Sequence, residues 1–541
     1  MTLFRKCVYC KDDKEKEEVS TYKSAGGNNN QVKTFAAIDV GSYALELKIF
    51  EISTRNGIKE IDNVRYQLDL GTDSYATGKL GCDKLEELCR ILKDFGRIMK
   101  QYKVDAYRAY GTSAIREIKN KMIVLDQIEQ RTGIHIDTIS NSEQRFLDYK
   151  SIACKETSLE EIMEKDTAVI DIGGGSIQLS LFENGTLVTT QNMKLGVLRL
   201  QESLNHLNAR TSQYENLIDE MVSSQISVFK KLFLKDKSIK NLIVVDDYLS
   251  AIVDRKIAKI EGRVFDIPTA AQLMELMRTH SDRDLAKLLD VSEDSVHLAF
   301  ISFVLVNRVC KATNVERIYV PDVTLCDGMA YEYGEENKLI SIKHNFEQDI
   351  IACAKNISKR YMGSRKRSET LEQIAMNIFE AMKKIHGLDK RAGLLLRLAA
   401  LLHDCGKYIS LANLGECSYN IIMSTEIIGL SHTEREIVAN VVKYNHLEFD
   451  YYESMNKGTN LAKEDYMIIA KLTAILKLAN GLDRSHKQKF KDVRIVLKEQ
   501  ELVITVDTPV DITLERGLFK HRAEFFKEVY SITPVIKQKR S

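Results

Sequence analysis

Nowhere does the sequence run to about 18 uninterrupted apolar residues, the length a membrane-crossing helix needs, and Met1 to Asn30 lacks the apolar core of a secretory signal. We therefore expect a cytoplasmic protein with no membrane partner. Excess charge is missing too. Lys and Arg number 78 against 77 Asp and Glu, a formal net charge of +1, so no whole-molecule field attracts nucleic acid and any polyanion site must be a local basic cleft. The ten cysteines are scattered through apolar patterns, as reduced thiols are. Cys7-Val8-Tyr9-Cys10 is a lone CxxC with no second pair nearby, either a zinc or redox pair or part of a frayed arm.

What is present is patterned. At 541 residues, 44% hydrophobic and 29% charged, the chain exceeds a single core and predicts about three or four globular domains. An apolar run from Ala168 to Ile172 carries Asp171, Gly173-Gly174-Gly175-Ser176 make a turn, and Ile177, Leu179 and Leu181 then alternate: strand, turn, strand. Bare glycine amides can approach a phosphate, and a carboxylate at a strand end can hold Mg2+ or its waters. The same glycines would also serve an ordinary hairpin that needs positive φ. Phe35 to Val40, with Asp39, Gly41-Ser42 and alternating Leu45, Leu47 and Ile49, repeats the pattern, and the copies run on to Asn56-Gly57 and Asn184-Gly185 turns. Two such turns facing each other would form a cleft for a phosphate chain.

Five motifs carry a more specific signal: Asp39-Val40-Gly41-Ser42, Gly111-Thr112-Ser113-Ala114-Ile115-Arg116-Glu117, Ile139-Ser140-Asn141-Ser142-Glu143, Asp171-Ile172-Gly173-Gly174-Gly175-Ser176 and Leu195-Gly196-Val197-Leu198-Arg199-Leu200. In order and spacing, over residues 33–335, they resemble the exopolyphosphatase and guanosine pentaphosphatase (Ppx/GppA) family. The resemblance implies an α/β fold of two actin-like, ribonuclease H-like lobes and a requirement for Mg2+ or another divalent cation. It also implies hydrolysis of the terminal phosphate of polyphosphate or guanosine pentaphosphate, with the tetraphosphate as a further ligand. Carried over residue by residue, it makes Glu143 the general base and Asp171 a catalytic carboxylate that shares the metal with Asp39. Gly41, Ser42, Arg116, Gly173, Gly174, Gly175, Ser176 and Arg199 would hold phosphate. Ser140-x-x-Glu143 is equally a helix capping box.

Along the chain we expect an arm at 1–31, lobes at 32–150 and 151–335, an all-helical region at 349–490 and a small α+β unit at 491–541. Helical spacing runs from Leu85 to Met99, Met122 to Arg131 ends at Gly133, and Ser212 with Glu215 and Thr269 with Gln272 read as helix starts. Ile134 to Ile139 reads as a strand and Val296 to Ala312 as an apolar helix. Within the helical region, adjacent His403 and Asp404 resemble the HD phosphohydrolase motif, which implies a metal-binding bundle with Asp483 as a further ligand. The other reading of this bundle is structural, lengthening the substrate channel or forming a homodimer interface.

The departures from the family pattern all remove phosphate-binding capacity. Gln178 stands for a glutamate, Tyr43-Ala44 for two phosphate donors, Asp246-Asp247 for a glycine cluster, Asp69 for an arginine, and Arg367 and Asn480 for HD-type ligands. Three functions compete on this basis: a hydrolase using Glu143, a lapsed relative that binds polyphosphate or a guanosine alarmone, and a nucleotide hydrolase centred on the HD motif.

Overall fold

A computed structural model describes residues 32–539 except 156–158, 209–212, 236, 254–262, 290, 342–343, 457–460, 484, 486, 488 and 491–492. The 1–31 arm with Cys7 and Cys10, and Ser212, lie outside the described residues. The chain divides into two compact units, Met1–Asn345 and Phe346–Ser541.

In the first unit, alternation of side chains builds a sheet buried on both faces. β1 (Lys33–Val40) turns Ala36, Ile38 and Val40 to a core shared with Leu88, Leu92 and Phe95 of the helix Cys82–Gln101. Its other face sets Phe35 and Ala37 on Cys326, Met329 and Ala330 of the helix Leu325–Glu336. β2 (Ala44–Ser53), β3 (Gly57–Gln67), β4 (Ala106–Gly111) and β5 (Asp137–Thr138) complete the order β3-β2-β1-β4-β5. The second sheet contains β6 (Thr167–Ile172), β7 (Ile177–Glu183), β8 (Thr186–Met193), β9 (Asn241–Val245), β10 (Val264–Asp266) and β11 (Arg317–Tyr319). Its order, β10-β11-β9-β6-β7-β8, repeats the first from β8 inward, two antiparallel pairings followed by two parallel ones, with β10 added at the edge.

Expectation and structure differ at element ends. Of the 134–139 stretch only Asp137–Thr138 pairs, with the end of β4. The helix Ile267–Thr279 opens at Asp266, whose carboxylate accepts from Thr269 N at 2.9 Å, so Thr269 lies inside the helix rather than at its start. The helix Glu293–Thr313 is long and apolar enough to cross a bilayer by composition, but 72% of that window is buried, where Leu298, Ile301 and Leu305 join Leu242 and Val244 of the second sheet's core.

The second unit runs through helices Phe346–Arg360, Arg365–Ala381, Lys390–Leu402, Leu414–Ser424, His432–His446 and Lys463–Leu482. A hairpin of β12 (Val493–Lys498) and β13 (Glu501–Asp507) follows, then the helix Thr513–Tyr530 and β14 (Thr533–Lys539), parallel to β13. β14 eludes a sequence reading because it begins Thr533-Pro534 and ends Lys537-Gln538-Lys539.

The helix Asn141–Lys155 lies so close to Leu325–Glu336 that a Cβ on Gly328 would sit 2.1 Å from Leu147 O. Gly328→Ala is therefore expected to destabilise the first unit by about 1–3 kcal/mol, read as a lower urea midpoint. Gly517→Ala, at an exposed position of the helix Thr513–Tyr530 with nothing within 4 Å of the added Cβ, should instead stabilise the second unit by about 0.5–1 kcal/mol.

Candidate functional site

The two hairpin turns are built alike. Gly41 N donates to Ala44 O, and Gly173 N to Ser176 O, each at 3.0 Å. Asp39 pairs across the strands with Glu46, and Asp171 with Gln178. None of Gly41, Gly173, Gly174 and Gly175 has positive φ, so the plain-hairpin reading of these glycines fails. They are needed for close approach: a Cβ on Gly174 would lie 3.0 Å from Ser42 Cβ, and one on Gly175 2.6 Å from Tyr75 Oη. The turns meet at a cavity of about 90 Å³ whose lining includes Asp39, Gly41, Ser42, Asp171, Gly173 and Gly174. Thr112, Ser113, Gln144, Arg145, Asp148 and Asp246 also line it.

The helix Asn141–Lys155 decides what chemistry faces that cavity. Glu143 is not in the lining; its Oε2 accepts from Ser140 N at 2.8 Å while Glu143 N donates to Ser140 Oγ at 3.2 Å, so the capping box is formed. Gln144, Arg145 and Asp148, sharing a face by i,i+3 and i,i+4 spacing, point inward instead. Arg145 is 4% exposed and pairs with Asp171. Its Nη1 lies 3.6 Å from Asp148 Oδ2, and its Nη2 donates to Ser176 O at 3.2 Å and Oγ at 3.4 Å. Burial, and then the neighbouring Asp171 charge, hold the Asp148 carboxyl well above the usual range. Burial, reinforced by Asp247 and Glu46, does the same to Asp39.

Two arginines that the sequence assigned to phosphate serve the framework. Arg116 Nη1 donates to Ile139 O at 2.8 Å and Nη2 bonds Asn141, while Arg199 donates to Gly175 O at 3.0 Å, pairs with Glu117 at 2.8 Å and lies over the Tyr75 ring. Neither lines the cavity. Gly175 and Ser176 are likewise behind the lining. The amides of Val197 and Leu198, at the start of the helix Val197–His206, donate to Gly173 O and Gly174 O.

The departures from the family pattern find partners in one another. Tyr43 meets Tyr248 edge-on, with ring centroids 5.6 Å apart, and Arg65 pairs with Asp247 at 2.9 Å. Asp246 accepts from Tyr248 N at 2.6 Å and Leu249 N at 3.1 Å and bonds Ser302, and burial pushes its carboxyl up to about 7. Asp69 accepts from Thr72 N at 3.0 Å at the start of another helix. Both aspartates act as local caps.

The sequence profile of the Ppx/GppA phosphatase family matches residues 49–336, and that of Ppx/GppA phosphatase domain III matches residues 351–521. This chain belongs to the Ppx/GppA phosphatase family. It is 20% identical to the guanosine-5'-triphosphate,3'-diphosphate pyrophosphatase of Vibrio atlanticus over 415 residues, 76% of this chain and 80% of that protein. The protein of the same name from Pseudoalteromonas translucida is 20% identical over 445 residues, 80% and 85% of the two chains. The crystal structure of the Aquifex aeolicus family member aligns with a TM-score of 0.48 at 19% identity, covering 58% of this chain and 100% of that one.

Domain III of this Ppx/GppA protein holds a second buried polar cluster. His403 Nδ1 lies 2.8 Å from Ala400 O, which places the proton of a neutral ring there, while Nε2 is buried without a hydrogen bond. Arg367 donates to Asn480 Oδ1 at 3.1 Å and lies 3.8 Å from Asp404 Oδ2, which Lys407 also approaches at 3.3 Å. Asp483 is buried at the C-terminal cap of Lys463–Leu482. His446 Nε2 donates to His403 O at 2.7 Å. Among the described residues, in either unit, no group of three or more His, Cys, Asp or Glu side chains is arranged to hold a metal ion.

Burial depresses both imidazoles, His403 to about 3 and His446 to about 4. A histidine with a lowered folded-state pKa contributes stability that is complete above its unfolded value of about 6.5 and is lost as pH falls through the folded value. The second unit should accordingly lose thermal stability as the pH drops from about 6.5 toward 4, and His446→Gln should flatten that dependence in melting curves.

Proposed function

We propose that the cleft of this Ppx/GppA protein receives the terminal phosphates of inorganic polyphosphate or of guanosine pentaphosphate or tetraphosphate and binds them with turnover far below that of a working hydrolase. The observation that carries this reading is the face of the helix Asn141–Lys155. Gln144, whose amide cannot take a proton from water, lines the cavity, while the Glu143 carboxylate is engaged with Ser140. A positioned general base is worth about 10²–10⁴ in rate, so its absence leaves binding largely intact and hydrolysis slow. On this reading the paired sheets are actin-like lobes, and domain III is an HD-like bundle whose metal ligands have been replaced. Mg2+, which the resemblance implies, is disfavoured by the residues present: Arg145 holds Oδ1 of Asp171 and lies beside Asp148 and Ser176, so a dication on the remaining buried oxygens, Asp171 Oδ2 and Asp39 Oδ1, would face a guanidinium.

Family membership favours a second reading, a working hydrolase in which Glu143 leaves Ser140 and turns to the cavity. Titration calorimetry with polyphosphate and guanosine pentaphosphate, run beside phosphate release with Mg2+, separates the two. The receptor reading expects saturable binding and little release, with Glu143→Gln, whose amide oxygen can still accept from Ser140 N in the capping box, changing stability little and leaving the release rate unchanged. Rapid release that collapses in Glu143→Gln would establish the hydrolase. Gln144→Glu should raise phosphate release by about tenfold or more under the receptor reading.

A further inference from the structure

We propose that Arg145 is the resident cation of the cleft, standing beside Asp171 and Asp148 where a divalent ion would have to sit, so that phosphate binding here is independent of divalent metal. The second half of this inference rests on the cleft being a phosphate site; the first half does not.

Three carboxyl groups, Asp39, Asp148 and Asp171, line one small cavity, and one that keeps its charge stays buried only with a countercharge. The chain supplies that charge itself. Arg145 pairs with Asp171, reaches Asp148 and bonds both oxygens of Ser176, and a Cβ on Gly173 would come within 3.2 Å of its Nη2. Mg2+ demands near-octahedral oxygen ligands at about 2.0–2.1 Å. The guanidinium takes Oδ1 of Asp171; Asp171 Oδ2 and Asp39 Oδ1 are buried without a hydrogen bond, but a dication on them would face the fixed positive charge of Arg145 across the same carboxylate. Arginine cannot give up its proton to make way, as a histidine or lysine can. The replacement of a family glutamate by Gln178, directly across from Asp171, removes a negative charge that a dication would have balanced and a single guanidinium would not. One donor is left over: Arg145 Nε is buried with no hydrogen-bond partner, and a phosphate oxygen entering the cavity would satisfy it.

The test uses the full chain, Mn2+ as the metal probe and medium-chain polyphosphate as the anion. Titrations of wild type, Asp171→Asn and Arg145→Ala with Mn2+, followed by electron paramagnetic resonance, should show no wild-type binding that Asp171→Asn removes. Arg145→Ala should gain one Mn2+ per chain, lost again when Asp171→Asn is added. Wild-type polyphosphate affinity should change by less than about threefold between EDTA and Mg2+, whereas in Arg145→Ala it should fall by about tenfold in EDTA and recover with Mg2+. A wild-type Mn2+ site abolished by Asp171→Asn, or wild-type polyphosphate binding that EDTA abolishes, overturns the inference. If Arg145→Ala does not fold, those two wild-type comparisons still decide it. If wild type binds Mn2+ nowhere near Asp171 and binds no polyphosphate under either condition, Arg145 keeps its place as resident cation and the phosphate-receptor reading falls alone.

Discussion

A buried guanidinium held against buried carboxylates is the constraint on which the cleft depends. Removing Arg145 and Asp171 from water costs several kcal/mol per ion, and their attraction offsets this only when the geometry is good and the remaining donors are satisfied. The surroundings meet those terms at both terminal nitrogens and leave only Nε without a partner. The Ser176 carbonyl and hydroxyl take Nη2, Asp148 one turn along the helix faces Nη1, and Gly173 leaves the space the guanidinium needs. The helix that carries Arg145 is in turn fixed by its capping box and by the close approach of Gly328 to Leu147. Domain III repeats the theme, with Arg367 between Asn480 and Asp404 in the buried polar cluster beside His403.

The other departures from the family pattern act in the same direction. Tyr43 and Tyr248, both in the cavity lining, meet edge-on, and Arg65 of β3 pairs with Asp247 at the start of the helix that follows β9. Asp246 and Asp69, alarming as charges near a polyanion, are each spent on backbone amides at a helix start. Positions where the sequence departs from the family pattern therefore make contacts within the protein.

Much of the frame was legible because it is written in short-range patterns. The apolar run from Phe35 to Val40 and period-two alternation from Leu45 to Ile49 and from Ile177 to Leu181 located the central strands, Gly133 did end its helix with φ of 72°, and Ser140-x-x-Glu143 did form a capping box. The two-residue β5 and the Asp266 cap were not legible, because partner strands and competing caps decide them. Within the site, Asp39, Gly41, Ser42, Asp171, Gly173 and Gly174 were read from turn chemistry and all line the cavity. Arg145 was passed over. Its partner Asp171 is 26 positions away, and nothing in Glu143-Gln144-Arg145 says which side chain turns inward. Gln178 was the available clue: a lost carboxylate opposite Asp171 implies a changed cation.

The most direct test of the account is anomalous diffraction from crystals grown with Mn2+ and a short oligophosphate. The account predicts phosphate density between Gly41-Ser42 and Gly173-Gly174, Arg145 still paired with Asp171, and no manganese peak beside them. A manganese peak bound to Asp39 and Asp171, with Arg145 displaced, would contradict it.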